Sequence, residues 1–149
     1  MAYAEADGRK LLLDLYMPTS PDKTPFLIVW IHGGAWHSGS KDSPPHSFVE
    51  SGYALASVDY RLSVEAKFPA QIYDIKAAIR FLRANASNYG YRADKIVIAG
   101  SSAGAHLAAL TGVTNNDKEL EGNLGAYTTT SSAVQAILDY YGPTNFTSI

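Results

Sequence analysis

The chain has 149 residues, a formal net charge of −2, a hydrophobic fraction of 46% and a charged fraction of 17%, which is typical of a globular domain and not of a disordered or membrane-embedded chain. The absence of cysteine excludes disulfides, thiolate zinc sites and cysteine nucleophiles, and no basic surplus indicates a nucleic-acid partner. No apolar run approaches the roughly 18 residues of a membrane span, and residues 1–5 lack the features of a signal peptide. We therefore expect a soluble protein without membrane or nucleic-acid partners, either cytoplasmic or exported after loss of a signal.

Apolar runs and helical periodicity alternate along the chain. Residues 26–31 form a continuous apolar run between loop signals, which is typical of a strand buried on both faces. Residues 69–86 carry apolar side chains at helical spacing, and proline is acceptable in the first turn of a helix. Strands that alternate with helices predict an α/β fold with a mostly parallel sheet, helices on both faces and one domain over residues 1–149. In chain order, the pattern predicts strands over 11–16 and 26–31, a helix over 46–51, a strand over 53–58, a helix over 69–86, a strand over 95–99, a helix over 103–113 and a strand over 133–140.

The segment Gly100-Ser101-Ser102-Ala103-Gly104 has the spacing G-x-S-x-G and lies between a predicted strand and a predicted helix of small residues. This is the context of a nucleophile elbow, a turn so tight that the residues two before and two after the serine must be small. The serine then projects above the carboxyl edge of the sheet, and the helix N-terminus beneath it favours developing negative charge. We therefore predict that Ser102 is a catalytic nucleophile.

A second motif, His32-Gly33-Gly34-Ala35-Trp36, follows the strand over 26–31, where an oxyanion loop of the H-G-G-G type is expected. Fixed backbone N–H donors stabilise the oxyanion of ester hydrolysis, and one donor contributes about 3 kcal/mol to lowering the barrier. The predicted donors are Gly34, Ala35 and Ala103, with Ala35 acceptable in place of a third glycine if its φ is negative. His32, Gly33, Trp36 and Ser101 are expected to support this loop or to line the pocket.

These motifs resemble the bacterial feruloyl-esterase and acetyl-xylan-esterase-like branch of the α/β-hydrolases, near the hormone-sensitive-lipase-like esterases. The resemblance implies an α/β-hydrolase fold and a serine carboxylesterase that needs no cofactor or metal. It also implies a substrate that is a small acyl ester or an acylated plant polysaccharide. The matching stretches are 32–36, 59–63, 68–71 with the helix that follows, 100–108 and 141–144.

The resemblance does not provide a general base within this chain. In the family the catalytic acid and histidine follow the Tyr-Gly-Pro segment, and this sequence ends at Ile149. His106 is the only histidine after Ser102, and helical spacing is expected to place it one turn deeper, away from the substrate, in a core or hydrogen-bonding role. We therefore expect an incomplete hydrolase domain without its C-terminal strands and helices, and an apolar strand at an open sheet edge. That edge favours self-association or a complementing chain.

The remaining polar signals are expected to be structural. Asp59 and Asp74 are expected to pair with Arg61 or Arg80, whereas the stretch with Asp117, Glu119 and Glu121 is expected to be solvated. Two functions other than an esterase remain open. The first is an amidase or formamidase that uses the same elbow, and the second is an inactive truncated fragment that lacks the triad acid and histidine.

Overall fold

The computed structural model describes residues 1–147, so the last two residues of the predicted domain lie outside the described range. Six strands form one sheet in the order β1-β2-β4-β3-β5-β6. β3 is parallel to both β4 and β5, β6 is parallel to β5, and β1 and β2 continue the sheet in antiparallel fashion. The α/β class and the mostly parallel sheet are therefore confirmed. The strands are β1 (Ala2–Ala6), β2 (Arg9–Tyr16), β3 (Phe26–Ile31), β4 (Ala54–Val58), β5 (Arg92–Ser101) and β6 (Ala136–Tyr140).

Helices are present at the three predicted positions, two of them with changed boundaries, and a further short helix, α5 (Lys118–Glu121), was not predicted. The predicted helix over 103–113 is confirmed, but the helix over 69–86 ends at Ala84 and is followed by a separate short helix. The break is at Asn85, which leaves helical geometry with φ −105° and ψ 9°. Its backbone N–H and its side-chain amide both donate to the Phe81 carbonyl, at 3.1 Å and 2.8 Å. Within residues 1–147 no helix has the length and apolar character that a membrane span requires. The helices are α1 (Ser47–Glu50), α2 (Ala70–Ala84), α3 (Ala86–Tyr89), α4 (Ala103–Val113) and α5 (Lys118–Glu121).

Two apolar clusters lie on opposite faces of the sheet. On the larger one, Val29 and Ile31 of β3 pack with α2 and α4. On the other, Ile28 and Trp30 of the same strand pack with Phe48 of α1. Alternate residues of β3 thus face different layers, which confirms the prediction of a doubly buried strand with helices on both faces.

Strand β1 carries no strong sequence signal, and the sequence analysis did not predict it. It pairs antiparallel with β2, and its residues Tyr3 and Ala6 belong to the larger apolar cluster. Tyr3 is buried and its hydroxyl donates to the Asp59 carbonyl at 2.7 Å. This contact ties the edge of the sheet to the segment that follows β4.

Strand β6 lies at the other edge of the sheet and begins at Ala136 rather than at the predicted residue 133. Gln135, just before it, donates its backbone N–H to the Ile96 carbonyl at 2.9 Å and accepts the Ile96 N–H through its side chain at 2.8 Å. The side chains of Ile137 and Leu138 are partly exposed although they are apolar. An apolar strand at a sheet edge, as predicted, is therefore present in the described part of the chain.

Glu121 corrects the expectation of a solvated acidic stretch. Its carboxylate binds Arg80 at 2.6 Å and Lys76 at 3.4 Å, and both cations are almost completely buried in α2. The Ser132 hydroxyl donates to the same carboxylate at 2.7 Å. Glu121 therefore fastens the segment after α4 to helix α2, and sequence periodicity could not show this because the partners lie about forty residues away.

The pKa of Glu121 reflects this environment. Partial burial acts to raise it, but the hydrogen bonds from Ser132 and Arg80 and the charges of Lys76 and Arg80 hold it below its ordinary value of 4.5. A carboxyl whose pKa is lower in the folded state stabilises the protein at pH values above the unfolded-state pKa. That contribution is lost as the pH falls through the folded-state pKa.

We predict that Glu121→Gln lowers the free energy of unfolding by about 2–3 kcal/mol at pH 7, because two buried cations lose their anionic partner. Urea denaturation followed by circular dichroism measures the effect. Glu119→Gln is the matched control, because Glu119 is exposed, and we expect a change below about 0.5 kcal/mol. The difference between wild type and Glu121→Gln should shrink below pH 4.5; an equal loss in both variants at pH 7 would contradict the assignment.

Candidate active site

The candidate site lies at the carboxyl ends of two neighbouring parallel strands. Ile31 of β3 pairs in register with Gly100 of β5. The two motifs that follow these residues therefore leave the sheet at the same edge, side by side. This is the usual position of ligand sites in open α/β sheets.

Ser102 occupies the turn between β5 and α4 with φ 53° and ψ −122°. A positive φ costs a residue with a Cβ about 1–3 kcal/mol, so such a residue must be held by its surroundings. Its N–H donates to the Tyr140 carbonyl at 2.8 Å, which ties the turn to the end of β6. The side chain of Ser102 is exposed at the sheet edge, where a substrate could reach the hydroxyl.

The glycines on either side of this turn sit in space that no side chain could share. A Cβ at Gly100 would lie 2.4 Å from the Gly104 carbonyl oxygen. A Cβ at Gly104 would lie 2.2 Å from the carbonyl oxygen of Ile31 and 2.4 Å from that of His32. The sequence requirement for small residues around the serine therefore has a direct structural cause, which is the contact of α4 with the end of β3.

The loop after β3 passes directly beside Ser102. A Cβ built on Gly33 would lie 3.3 Å from the Ser102 Cβ and 2.9 Å from the Ser101 carbonyl oxygen. The structure thus brings Gly33, Ser101 and Ser102 together, as the two sequence motifs predicted. A bulky residue at position 33 would separate them.

The peptide groups of this loop have a defined direction. The Gly34 carbonyl accepts the N–H groups of His37 at 3.1 Å and Ser38 at 3.0 Å, so it points into the turn. Because a trans peptide sets its N–H opposite its carbonyl, the Ala35 N–H points out of the turn. The Gly33 carbonyl lies 2.7 Å from His32 Nδ1, and the same argument turns the Gly34 N–H away from that contact.

The expected negative φ of Ala35 is wrong. Ala35 has φ 51° and Trp36 has φ 63°, so two consecutive residues with side chains are left-handed. The Trp36 carbonyl accepts the Ser63 N–H at 2.8 Å, which anchors the loop from the segment after β4. Sequence alone could not give this conformation, because alanine and tryptophan both prefer negative φ.

The side chain and carbonyl of His32 fix the start of this loop. Its ring is buried and stacks on Tyr60, with centroids 4.4 Å apart and planes within 12°. The Tyr60 hydroxyl donates to the His32 carbonyl at 3.0 Å, and burial raises the pKa of Tyr60, so this hydroxyl stays protonated. Both contacts hold the first residue of the loop in one orientation.

An ion pair next to Tyr60 holds the residues that contact His32 in place. Arg61 donates its backbone N–H and its guanidinium to Asp74 of α2, at 2.7 Å for the closest oxygen. This confirms the predicted pairing of Asp74 with an arginine. Asp59, by contrast, accepts the Lys41 backbone N–H at 2.7 Å and does not form the predicted arginine pair.

A cavity of about 360 Å³ opens next to Ala35 and is mostly apolar. His106, which was predicted to point away from the substrate, lines this cavity together with Trp36. The predicted hydrogen-bonding role of His106 is present, since Trp36 Nε1 donates to His106 Nδ1 at 3.3 Å. Phe146 also lines this cavity, and no sequence pattern predicted its position there. The lining residues are Ala35, Trp36, Ser63, Phe68, Gln71, His106, Leu107 and Phe146.

A second cavity of about 330 Å³ lies on the other side of the turn, beside Ser101. Trp30 of β3 and Tyr140 of β6 face each other there, with centroids 6.1 Å apart. The Ser102 turn is therefore flanked by two clefts, each with aromatic walls. The lining residues are Trp30, Pro45, Ser47, Phe48, Ser101, Tyr140 and Tyr141.

Within residues 1–147, no histidine nitrogen makes a hydrogen bond to the Ser102 hydroxyl. His46 packs edge-on against Tyr16 at 4.9 Å, and His32 and His106 have the contacts described above. Asp139, at the end of β6, accepts the Gly142 N–H at 2.7 Å. The described residues therefore place a hydroxyl and backbone donors together, but they do not place a general base on that hydroxyl.

Comparison with known proteins identifies relatives of this arrangement. The BD-FAE family pattern matches residues 13–149. The chain is 35% identical over 147 residues to the esterase LipQ of Mycobacterium tuberculosis and 37% identical over 144 residues to the esterase LipC of the same organism. These matches cover 95% and 91% of this chain but 34% of each relative. The chain thus spans about a third of the length of these relatives.

Solved structures agree with this result and show that the fold is that of α/β-hydrolase esterases. The bifunctional GH43-CE protein of Bacteroides eggerthii superposes with a TM-score of 0.88 and 40% identity, over 98% of this chain and 21% of that one. A truncated form of a carbohydrate esterase from gut microbiota gives 0.84 and 36%, over 96% and 55%. The thermophilic esterase Est2 of Thermogutta terrifontis gives 0.75 and 32%, over 92% and 50%.

We predict that Gly104→Ala destabilises the fold by about 2–3 kcal/mol, because the new methyl group would overlap two backbone carbonyl oxygens that cannot turn aside. Gly112→Ala is the matched control in the same helix, since its Cβ meets only side-chain atoms, chiefly those of Ile137 on β6. Helix propensity favours both substitutions equally. Urea denaturation should show a clearly larger loss for Gly104→Ala, and equal losses would contradict the proposed close approach.

Proposed function

Because the chain belongs to the BD-FAE family, and the relatives named above are esterases, we propose that it provides the nucleophile of a serine carboxylesterase. Ser102 is the nucleophile, and the N–H groups of Gly34, Ala35 and Ala103 form the oxyanion hole. The observation that carries this proposal is the strained, exposed Ser102 turn with the Gly33 backbone packed against it. His32, Gly33 and Ser101 support the turn and the loop.

The chemistry follows from this geometry. The Ser102 oxygen attacks the ester carbonyl carbon. The carbonyl oxygen becomes an oxyanion, which accepts hydrogen bonds from the backbone N–H groups. Ala103 is the first residue of α4, so its N–H has no intrahelical acceptor and points out of the positive end of the helix. Collapse of the intermediate expels the alcohol and leaves an acyl-enzyme, which water then hydrolyses.

The substrate we propose is an ester of a small acyl group on a carbohydrate, with acetyl or feruloyl esters of plant polysaccharides as the candidates. Two similar structures are described as a GH43-CE protein and as a carbohydrate esterase. The aromatic clefts on both sides of the Ser102 turn support the proposal, because an ester needs one space for its acyl group and another for its alcohol.

The general base is a part of the proposal that the described residues do not provide. A serine hydroxyl needs a base within hydrogen-bond reach for full activity. We propose that this base comes from outside residues 1–147, either from another part of the parent protein or from a complementing chain. Nucleophile and oxyanion donors alone still favour reaction with activated acylating reagents.

We predict that, in protein that includes the proposed general base, hydrolysis of 4-nitrophenyl acetate depends on Ser102 and falls by about 10³-fold or more in Ser102→Ala, because the acyl-enzyme can no longer form. Ser87→Ala is the matched control, since Ser87 is an exposed serine on α3, and it should retain wild-type turnover. Steady-state kinetics of the protein with 4-nitrophenyl acetate and with 4-nitroacetanilide measures both points. Equal turnover in Ser102→Ala would refute the nucleophile, and faster cleavage of the anilide would favour an amidase.

Paraoxon provides a second readout that does not need turnover. It phosphorylates the structurally similar Est2 of Thermogutta terrifontis. We expect the wild-type protein to displace 4-nitrophenolate from paraoxon and to gain the mass of one diethylphosphoryl group. Ser102→Ala should stay unmodified. Folded protein that neither hydrolyses the ester nor reacts with paraoxon would favour the inactive fragment.

A further inference from the structure

The hydrogen bond between Trp36 and His106 joins two elements of the site that are 70 residues apart in sequence. Trp36 belongs to the loop after β3, and His106 belongs to helix α4. Their rings also meet edge to face, with centroids 5.5 Å apart and an interplanar angle of 83°. The side chains of both line the same apolar cavity, so the contact is partly protected from water, which strengthens a hydrogen bond.

The loop needs a restraint at this point. Ala35 and Trp36 both have positive φ, a conformation that is strained for residues with a side chain. The N–H of Ala35, a proposed oxyanion donor, lies between Gly34 and this strained pair. Relaxation of this pair toward negative φ would therefore change the path of the loop and move the donor.

Two contacts oppose that relaxation. The Trp36 carbonyl accepts the Ser63 N–H at 2.8 Å, which fixes the backbone on one side. The indole N–H is bound by the His106 side chain. The backbone N–H of His106 donates to the Ser102 carbonyl at 3.1 Å in the first turn of α4. The partner of Trp36 is thus in a fixed relation to the proposed nucleophile.

We propose that His106 is a positioning residue, which accepts the Trp36 indole N–H and thereby holds the oxyanion loop in its strained conformation beside Ser102. The proposal rests on the proposed function of Ser102 and of the loop. His106 does not transfer a proton in this scheme. It acts through Trp36 on the position of the Ala35 N–H.

The restraint requires a neutral imidazole. Nδ1 must carry a lone pair to accept the indole N–H, so the proton of the neutral ring is on Nε2; both nitrogens of an imidazolium are donors. Protonation of His106 therefore breaks the contact. The bond is intact at neutral pH and is lost in acid.

Few charged groups face His106. Burial lowers its pKa below the ordinary 6.5, and the charge of Asp139 on β6 acts in the opposite direction. On the side of α2 and the segment before it, the cavity presents the neutral Gln71 and Ser63. At the end of β3, the ring of His32 stacks on Tyr60 and not on His106.

The first test distinguishes the loss of the hydrogen-bond acceptor from the loss of the volume of the imidazole ring. In protein that includes the proposed general base, we expect His106→Leu and Trp36→Phe each to lower kcat about tenfold with little change in KM, since each removes the hydrogen bond but retains an apolar side chain. The double variant should be no worse than either single variant, because both remove one interaction. His106→Asn places an amide oxygen near the position of Nδ1 and should stay within about threefold of wild type.

The second test does not depend on turnover. Trp30 and Trp36 are the two tryptophans of the chain, so an ¹⁵N-labelled sample shows two indole N–H signals. We expect the Trp36 signal to titrate with a midpoint below pH 6.5, and the Trp30 signal to stay in place as an internal reference. The titration should disappear in His106→Asn and persist in His46→Gln, which removes an exposed histidine.

The outcomes separate this inference from the proposed function. If Ser102→Ala is inactive but His106→Leu retains wild-type kcat, or if the Trp36 signal does not titrate in wild type, the role of His106 is wrong and the esterase proposal stands. If Ser102→Ala stays active, the esterase proposal fails. Should His106→Leu not fold, the Trp36 titration in wild type and His106→Asn still decides the question.

Discussion

The contact between helix α4 and the end of strand β3 is the constraint on which the candidate site depends. Gly104 has no room for a side chain, because the Ile31 and His32 carbonyl oxygens occupy the position of its Cβ. This approach places the start of α4 beside the loop that leaves β3. It therefore brings a hydroxyl, a helix N-terminus and a glycine-rich backbone together.

Backbone strain is concentrated at the same place. Ala35, Trp36 and Ser102 all have positive φ although each has a side chain. Strain of this kind persists only where surrounding contacts determine the conformation. Those contacts come from every side: the Tyr140 carbonyl, the Ser63 N–H, the ring of Tyr60 and the proposed acceptor His106. The site is thus preorganised by the packing around it, which is what oxyanion stabilisation requires.

Membership of the BD-FAE family and the similarity to α/β-hydrolase esterases agree with this arrangement. The chain covers about a third of the relatives LipQ and LipC, and within residues 1–147 no histidine is bonded to the proposed nucleophile. β6, with Asp139 near its end, forms an exposed apolar edge. Residues 1–147 therefore contain the proposed nucleophile and the proposed oxyanion donors.

The sequence by itself determined most of the strands and helices, the G-x-S-x-G turn and the glycine-rich loop, because these depend on local patterns: apolar runs, periodicity and glycine spacing. Helix 103–113 and strand 26–31 were predicted with their observed boundaries. Only the tertiary structure decided the positive φ of Ala35, the binding of Glu121 to buried cations, the pairing of β1 and the position of His106 in a cavity. Each of these depends on partners that are distant in sequence, and a local pattern carries no information about which distant groups will meet.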